Sequence, residues 1–167
     1  VLSDFINKAP EQFRDAKYSA ERERSVGLGV MGFHSFLQKH RIPLESVMAK
    51  AWNKKIFKQI DEQVNQASKD LAEERGACPD AEEYGFKERF SNKTAVAPTA
   101  SISIICGGAS PGVEPIAANS YTHKTLSGSF NVRNRYLEEI LESHGKNDDE
   151  TWSTITTNQG SVSHLDF

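Results

Sequence analysis

Apolar residues recur at intervals of three and four through the middle of the chain, at Leu44, Val47, Met48, Ala51, Trp52, Ile56, Ile60, Val64, Ala67 and Leu71. That spacing gathers them on one stripe of a helix and leaves Lys54, Lys58, Asp61, Glu62 and Lys69 on the other side. Pro43 before it and Gly76 after it bound the helix at Leu44–Arg75. Met48 and Trp52 lie on the stripe and read as core. Shorter helical patterns cover Val1–Lys8, halted near Pro10, and the charge-dense Glu11–Glu23. Others cover Val30–Lys39 and Arg133–Ser143, the latter with Leu137, Ile140 and Leu141 on one face and a stop at Gly145. Asp148 or Asp149 caps a last helix reaching about Asn158. Ala77–Ser91 reads as a connection with a turn of helix. Extended patterns fall at Ser25–Leu28, Thr94–Ala97 and Ser120–Thr125. Strands alternating with helices predict a helix-rich α/β arrangement with a parallel sheet.

The stretch from Lys93 to Phe130 breaks from this pattern. Between Thr94 and Ser129 the one acidic side chain is Glu114, and the rest is mostly small, hydroxylic or apolar. So much apolar character wants burial, while Thr99, Ser101 and Ser103 carry hydroxyls that need partners once buried. One arrangement satisfies both demands: a buried strand at Thr94–Ala97, a turn at Pro98, and amides and hydroxyls aimed at an anion. Pro98 has no N–H, so a strand ladder ends there. Thr99 or Ser101 then caps a helix at Ile102–Cys106, whose free amides suit a phosphate. On chemistry alone the plainer reading, a capped helix after a buried strand, is the better one. The Lys of a P-loop is missing, so this is no Walker A site. Glu114, before Pro115, either accepts hydrogen bonds from the turn at Gly107–Gly112 or faces a ligand.

Charge and composition narrow the classes. At 167 residues the chain has enough length for one domain with a core. A net charge of −3 and a pI near 6.0 supply no basic footprint for nucleic acid. No signal peptide is visible and no apolar run reaches bilayer length, which points to no membrane role and a cytoplasmic setting. Cys78 and Cys106 stand far apart without metal-ligand spacing, as in a reducing compartment, and both read as buried packing thiols. No metal site is expected. Gly27-x-Gly29-x-x-Gly32 formally matches a dinucleotide fingerprint. However, the preceding Ala20-Glu21-Arg22-Glu23-Arg24-Ser25 is no buried strand, and the region about 20 residues on lies inside the long helix. These glycines read as sites of close packing, where a short strand passes into a helix. His34, His40, His144 and His164 read as solvated or capping. Both ends begin and stop in mid-pattern, as in a piece of a larger polypeptide.

Longer strings carry a resemblance. Ala97-Pro98-Thr99-Ala100-Ser101-Ile102-Ser103, Gly112-Val113-Glu114-Pro115 and Asn119 through Phe130 (Asn-Ser-Tyr-Thr-His-Lys-Thr-Leu-Ser-Gly-Ser-Phe) stand in order. Arg24 through Phe33 and Gly76-Ala77-Cys78-Pro79 precede them. Together they closely resemble the large (α) subunit of class I ribonucleotide reductase of the aerobic bacterial and phage type, over essentially the whole chain. The resemblance implies that residues 1–167 are one fragment of a ten-stranded α/β barrel. It implies reduction of ribonucleoside diphosphates by thiyl-radical chemistry. It further implies a small radical-generating subunit containing metal, the remainder of the large subunit, a thiol reductant and nucleotide effectors. The family's phosphate-binding loop falls on Pro98, Thr99, Ala100, Ser101 and Ile102, with Thr99 and Ser101 as side-chain donors and Ala100 and Ile102 acting through their amides. The family's Asn-x-Cys-x-Glu motif occurs nowhere in these residues, so no catalytic residue is assigned and the chain alone is expected not to turn over. His123 and Lys124 follow the family string without a role that chemistry supplies. Two alternatives stand beside this reading. One is the adenosylcobalamin-dependent class II relative, against which Ala100 and the Tyr121–Gly128 string argue. The other is a non-catalytic assembly module.

Overall fold

The computed structural model describes residues 2–125 and 128–166. The chain runs α1 (Leu2–Asn7), a 3-10 turn (Glu11–Phe13), α2 (Arg14–Glu23), α3 (Phe33–Lys39), α4 (Val47–Arg75), α5 (Pro79–Glu83), α6 (Ala100–Ile105), β1 (Ser120–Thr125), β2 (Gly128–Arg133), α7 (Arg135–Ser143) and α8 (Asp149–Thr157). It divides into two units. One contains the residues up to Val30 with Val47–Ala97, and the other Met31–Ser46 with Pro98 onward.

The first unit is built on α4. Its start lies three residues after Leu44, because Ser46 closes a turn by donating its amide to the Pro43 carbonyl at 3.0 Å. At the far end Gly76 takes a left-handed φ of +80°, and the Arg89 guanidinium donates to the Arg75 and Gly76 carbonyls at 3.0 and 2.9 Å. A cation there satisfies carbonyls that the helix itself leaves open. Desolvation, then the nearby Arg24 and Arg75 charges, lower the Arg89 pKa. The residues of α4 that are buried are Ala49 and Ser68, and Ser68 Oγ accepts from the Arg89 and Phe90 amides at 3.1 and 3.3 Å. The core reading of Met48 and Trp52 is corrected: Met48 is 57% exposed, and Trp52 is half-buried with Lys55 Nζ 5.0 Å from its ring centroid. Periodicity placed them on a common stripe, but the described residues cover that stripe only in part. Arg22 of α2 bonds Asp80, at 2.6 Å, and Glu83 of α5. Cys78 is fully buried as expected, its amide on the Glu88 carbonyl at 2.9 Å.

The expected strand at Ser25–Leu28 contracts to one parallel bridge, Leu28 with Thr94. Amides of Val26 and Leu28 donate to the Asn92 and Lys93 carbonyls, and that of Ala95 returns to Leu28. Gly27 and Gly29 do serve close packing, though of two extended segments rather than of a helix. A Cβ on Gly27 would stand 2.8 Å from Ala95 Cβ, and one on Gly29 would stand 2.7 Å from the Ala95 carbonyl oxygen. Helix α3 starts at Phe33 rather than Val30. The expected burial of Thr94–Ala97 is also corrected, since all four residues are exposed within this chain.

The second unit packs Leu141, Trp152 and Ile155 into a core, flanked by Leu137, Val162 and Leu165. Helices α7 and α8 start on their own side chains, with Asn134 accepting from the Tyr136 amide at 3.1 Å and Asp148 from the Thr151 amide at 2.7 Å. The latter bond holds the Asp148 carboxyl below the usual carboxylate range. Strands β1 and β2 pair antiparallel, with Ser120 opposite Arg133 and Thr125 opposite Gly128. Among the described residues the only ladder is therefore antiparallel, contrary to the expected parallel sheet. The sequence pattern predicts no element at β2, because its apolar positions, Phe130 and Val132, are too few to set a period. Leu126 and Ser127 of the resembling string, Val1 of the first helical pattern and Phe167 lie outside the described residues.

Gly29→Ala is predicted to destabilise the chain by about 1–3 kcal/mol, because the new methyl must displace backbone rather than a flexible side chain. Urea unfolding would measure it, and an unchanged midpoint would contradict the close approach at Ala95.

Candidate functional site

The five residues expected to hold an anion sit at the entry to α6. Helix α6 begins at Ala100, two residues before the expected start at Ile102, and Thr99 occupies its N-cap position. Thr99 makes no capping bond. It stands in left-handed backbone, φ 51° and ψ 30°, and its Oγ1 accepts from the Gly112 amide at 2.7 Å. For a β-branched residue that conformation costs on the order of 1–3 kcal/mol, so the surroundings must impose it. Ala100, Ser101 and Ile102 follow, all exposed. Among the described residues none accepts from their three amides, and the Ser101 hydroxyl also stands exposed. Pro98 is exposed just before them. Ser103 closes the turn from beneath. It is buried, its amide donates to the Thr99 carbonyl at 2.9 Å, and its hydroxyl donates to the Ala100 carbonyl at 3.1 Å.

The turn-rich loop after α6 brackets this element. The Ala109 amide donates to the Ser103 carbonyl at 3.0 Å, and the Gly112 amide reaches Thr99. Between them Ser110 is fully buried against Ser35 of α3, each amide donating to the other's hydroxyl, at 3.1 and 2.9 Å. Sequence reasoning missed this pair. Its members are 75 positions apart, and no period links them. The one local hint was a serine set between Gly107-Gly108 and Gly112.

Three expectations change here. Cys106, read as a buried thiol, is exposed at the end of α6. Glu114 is exposed, and its carboxylate accepts nothing from the glycine-rich turn among the described residues; its amide donates to the Pro111 carbonyl at 3.0 Å. His34 is neither solvated nor capping. It is half-buried, and its Nδ1 accepts from the Ile116 amide at 3.2 Å, which fixes the neutral tautomer with hydrogen on Nε2. His144 does serve a helix end, with Nδ1 2.9 Å from the Ile140 carbonyl. His164 pairs with the Thr154 hydroxyl at 3.0 Å. His40 tilts against Phe36, ring centroids 4.7 Å apart. The His123 side chain lies outside the described residues.

A cavity of about 660 Å³ opens in the same unit, walled by His34, Gln38, Arg41, Ile116, Asn119 and Tyr136 among others. It does not include the loop, and its size alone assigns it no chemistry. Among the described residues no three His, Cys, Asp or Glu side chains converge as a metal-binding set. No helix among them is long and apolar enough to cross a membrane.

Comparison with known proteins bears on the whole chain. The family model described as ribonucleotide reductase, barrel domain, matches residues 1–88 and 80–167. The ribonucleoside-diphosphate reductase large subunit of Invertebrate iridescent virus 6 is 47% identical over 167 residues, 99% of this chain and 17% of that protein. Its counterpart from Invertebrate iridescent virus 3 is 43% identical over 168 residues, again 99% of this chain and 26% of the relative. Among solved structures, the Actinobacillus ureae class Id ribonucleotide reductase alpha subunit superposes with a TM-score of 0.86 at 37% identity, covering 98% of this chain and 30% of that one. The chain thus spans less than a third of the length of each of these three.

Burial holds the His34 imidazole below its ordinary value, so the folded chain favours the neutral ring that the Ile116 amide requires. The unfolded chain protonates near its usual pKa of about 6.5. The His34 contribution to stability is therefore complete above that value and is lost as the pH falls through the lower, folded pKa. His34→Ala is predicted to cost about 1–3 kcal/mol at pH 8, by leaving a half-buried amide unpaired. It should also flatten the decline in stability between pH 8 and 5, and an unaltered slope in urea titrations across that range would refute the assignment.

Proposed function

The chain belongs to the barrel-domain family of ribonucleotide reductases, and on that premise we propose that it is part of the large subunit of a ribonucleoside-diphosphate reductase. Such a subunit reduces ribonucleotides to 2′-deoxyribonucleotides for DNA synthesis. The share of that work we assign to these residues is holding the substrate's diphosphate on Pro98, Thr99, Ala100, Ser101 and Ile102. The observation that carries the assignment is that Ala100, Ser101 and Ile102 are exposed residues whose three amides find no acceptor among the described residues. Amides converging at a helix start favour an anion, and hydroxyls beside them add donors. Thr99 uses its oxygen to accept from Gly112, which leaves its own proton to donate to a phosphate oxygen. Pro98 offers no N–H to compete and fixes the turn. Gripping the phosphates, remote from the sugar, spends binding energy on orienting the ribose for reaction.

The redox chemistry falls outside these residues in this reading. A thiol reductant supplies electrons, a metal-containing small subunit generates the radical, and nucleotide effectors act on the full assembly. The remainder of the large subunit is the first partner. Val96 and Ile105, on either side of the loop, are 84% and 82% exposed within this chain, and such apolar surface favours a covering layer. Ala100 within the loop, and the Tyr121–Gly128 string after it, support class I over the cobalamin-dependent class.

In the full-length large subunit, the double change Thr99→Ala, Ser101→Ala removes two donors to a charged acceptor. Each such bond contributes about 1.5–3 kcal/mol, so affinity for a ribonucleoside diphosphate is predicted to fall by at least about tenfold. Equilibrium binding to the folded double variant tests this, and wild-type affinity would defeat the loop assignment. The isolated 167-residue chain is predicted to reduce no substrate in a turnover assay.

A further inference from the structure

We propose that Ser35 and Ser110 are positioning residues for the phosphate loop, acting together as a capping box divided between two distant parts of the chain. This rests on the loop reading above and extends it to residues that touch no substrate.

Helix α3 begins with an unmet need. The N-cap residue of that helix is Gly32, which has no side chain to satisfy the first-turn amides. Ser110 supplies the missing group, its Oγ accepting from the Ser35 amide, the third of the helix, at 3.1 Å. Ser35 returns the bond, its Oγ accepting from the Ser110 amide at 2.9 Å. The Gly32 amide then donates to the Ser110 carbonyl at 2.8 Å. Within one helix, cap and third residue bond each other reciprocally in this way. Here the cap's role passes to a residue 75 positions further on, and both serines are buried, at 6% and 0% exposure.

The consequence reaches α6 through the residues flanking Ser110. One position before it, Ala109 donates to the Ser103 carbonyl. Two positions after it, Gly112 donates to Thr99 Oγ1. Ser103 and Thr99 are the two residues that fix the first turn of α6, one from below and one at its entry. The serine pair therefore anchors the segment that keeps Thr99 in left-handed backbone, and so sets the direction of the Ala100, Ser101 and Ile102 amides. Without the anchor, Thr99 gains by relaxing to an ordinary conformation and the amides lose their common aim.

Steady-state kinetics of the full-length reductase, assembled with its small subunit, test this. Ser110→Ala and Ser35→Ala should each raise KM for the ribonucleoside diphosphate about tenfold with kcat within about threefold, and Ser35→Thr, which keeps the hydroxyl, should restore KM. Assays are run below the melting transition of each variant, and Ser35→Ala carries the test if Ser110→Ala does not fold. Unchanged KM in the folded alanine variants overturns the proposal, as does a Ser35→Thr variant no better than Ser35→Ala. If the Thr99→Ala, Ser101→Ala change raises KM and the serine changes do not, the anchor alone is wrong. If that double change also leaves KM untouched, the loop reading fails and the anchor falls with it.

Discussion

Thr99 stands in left-handed backbone, which a β-branched residue adopts only when something outside its own dihedral preference holds it there. The holder is the Gly112 amide at 2.7 Å, and everything at the start of α6 follows from that bond. With Thr99 turned away, the helix begins one residue later, without a side-chain cap and with three amides that find no acceptor among the described residues. A threonine capping its own helix would have satisfied one of those amides. The hydroxyl's acceptor capacity is spent on the loop instead.

The first unit depends on a different constraint, the proximity of two extended segments. Gly27 and Gly29 have no Cβ because Ala95 occupies the space where one would stand. The same glycines form a pattern that matches a nucleotide-binding fingerprint by spacing alone. Their surroundings refute that reading in physical terms, since the glycines admit a neighbouring chain rather than a pyrophosphate. Arg89 and Ser68 then tie the connection after α5 back onto α4, through carbonyl and hydroxyl bonds rather than apolar contact. Membership of the reductase barrel family gives both units a common setting, although the chain spans under a third of the compared relatives.

Legibility followed the range of each interaction. Helices α4, α7 and α8 were readable because their periods, caps and stops lie within a few residues. Asp148 caps α8 and Gly145 follows α7 as their chemistry dictates. The loop at Pro98–Ile102 was legible only as a string that resembles a known family's, and its anion role stands as a proposal. Its geometry was not legible, since nothing near Thr99 in sequence announces a bond to Gly112. The Met48 stripe failed in another way. A three- and four-residue period reports which side chains share a face, and says nothing of what covers it.

Sequence alone determined the helical majority, the burial of Cys78 and the family to which the chain belongs, because each is encoded in local pattern or in an ordered string. Only the tertiary structure decided that Ser110 caps α3, that His34 holds Ile116 as a neutral ring, that Cys106 is exposed, and that the strands pair antiparallel. The first two turn on groups 75 and 82 residues apart meeting within about 3 Å. Hydrogen bonds have that short reach, and neither composition nor period records which distant partner comes within it.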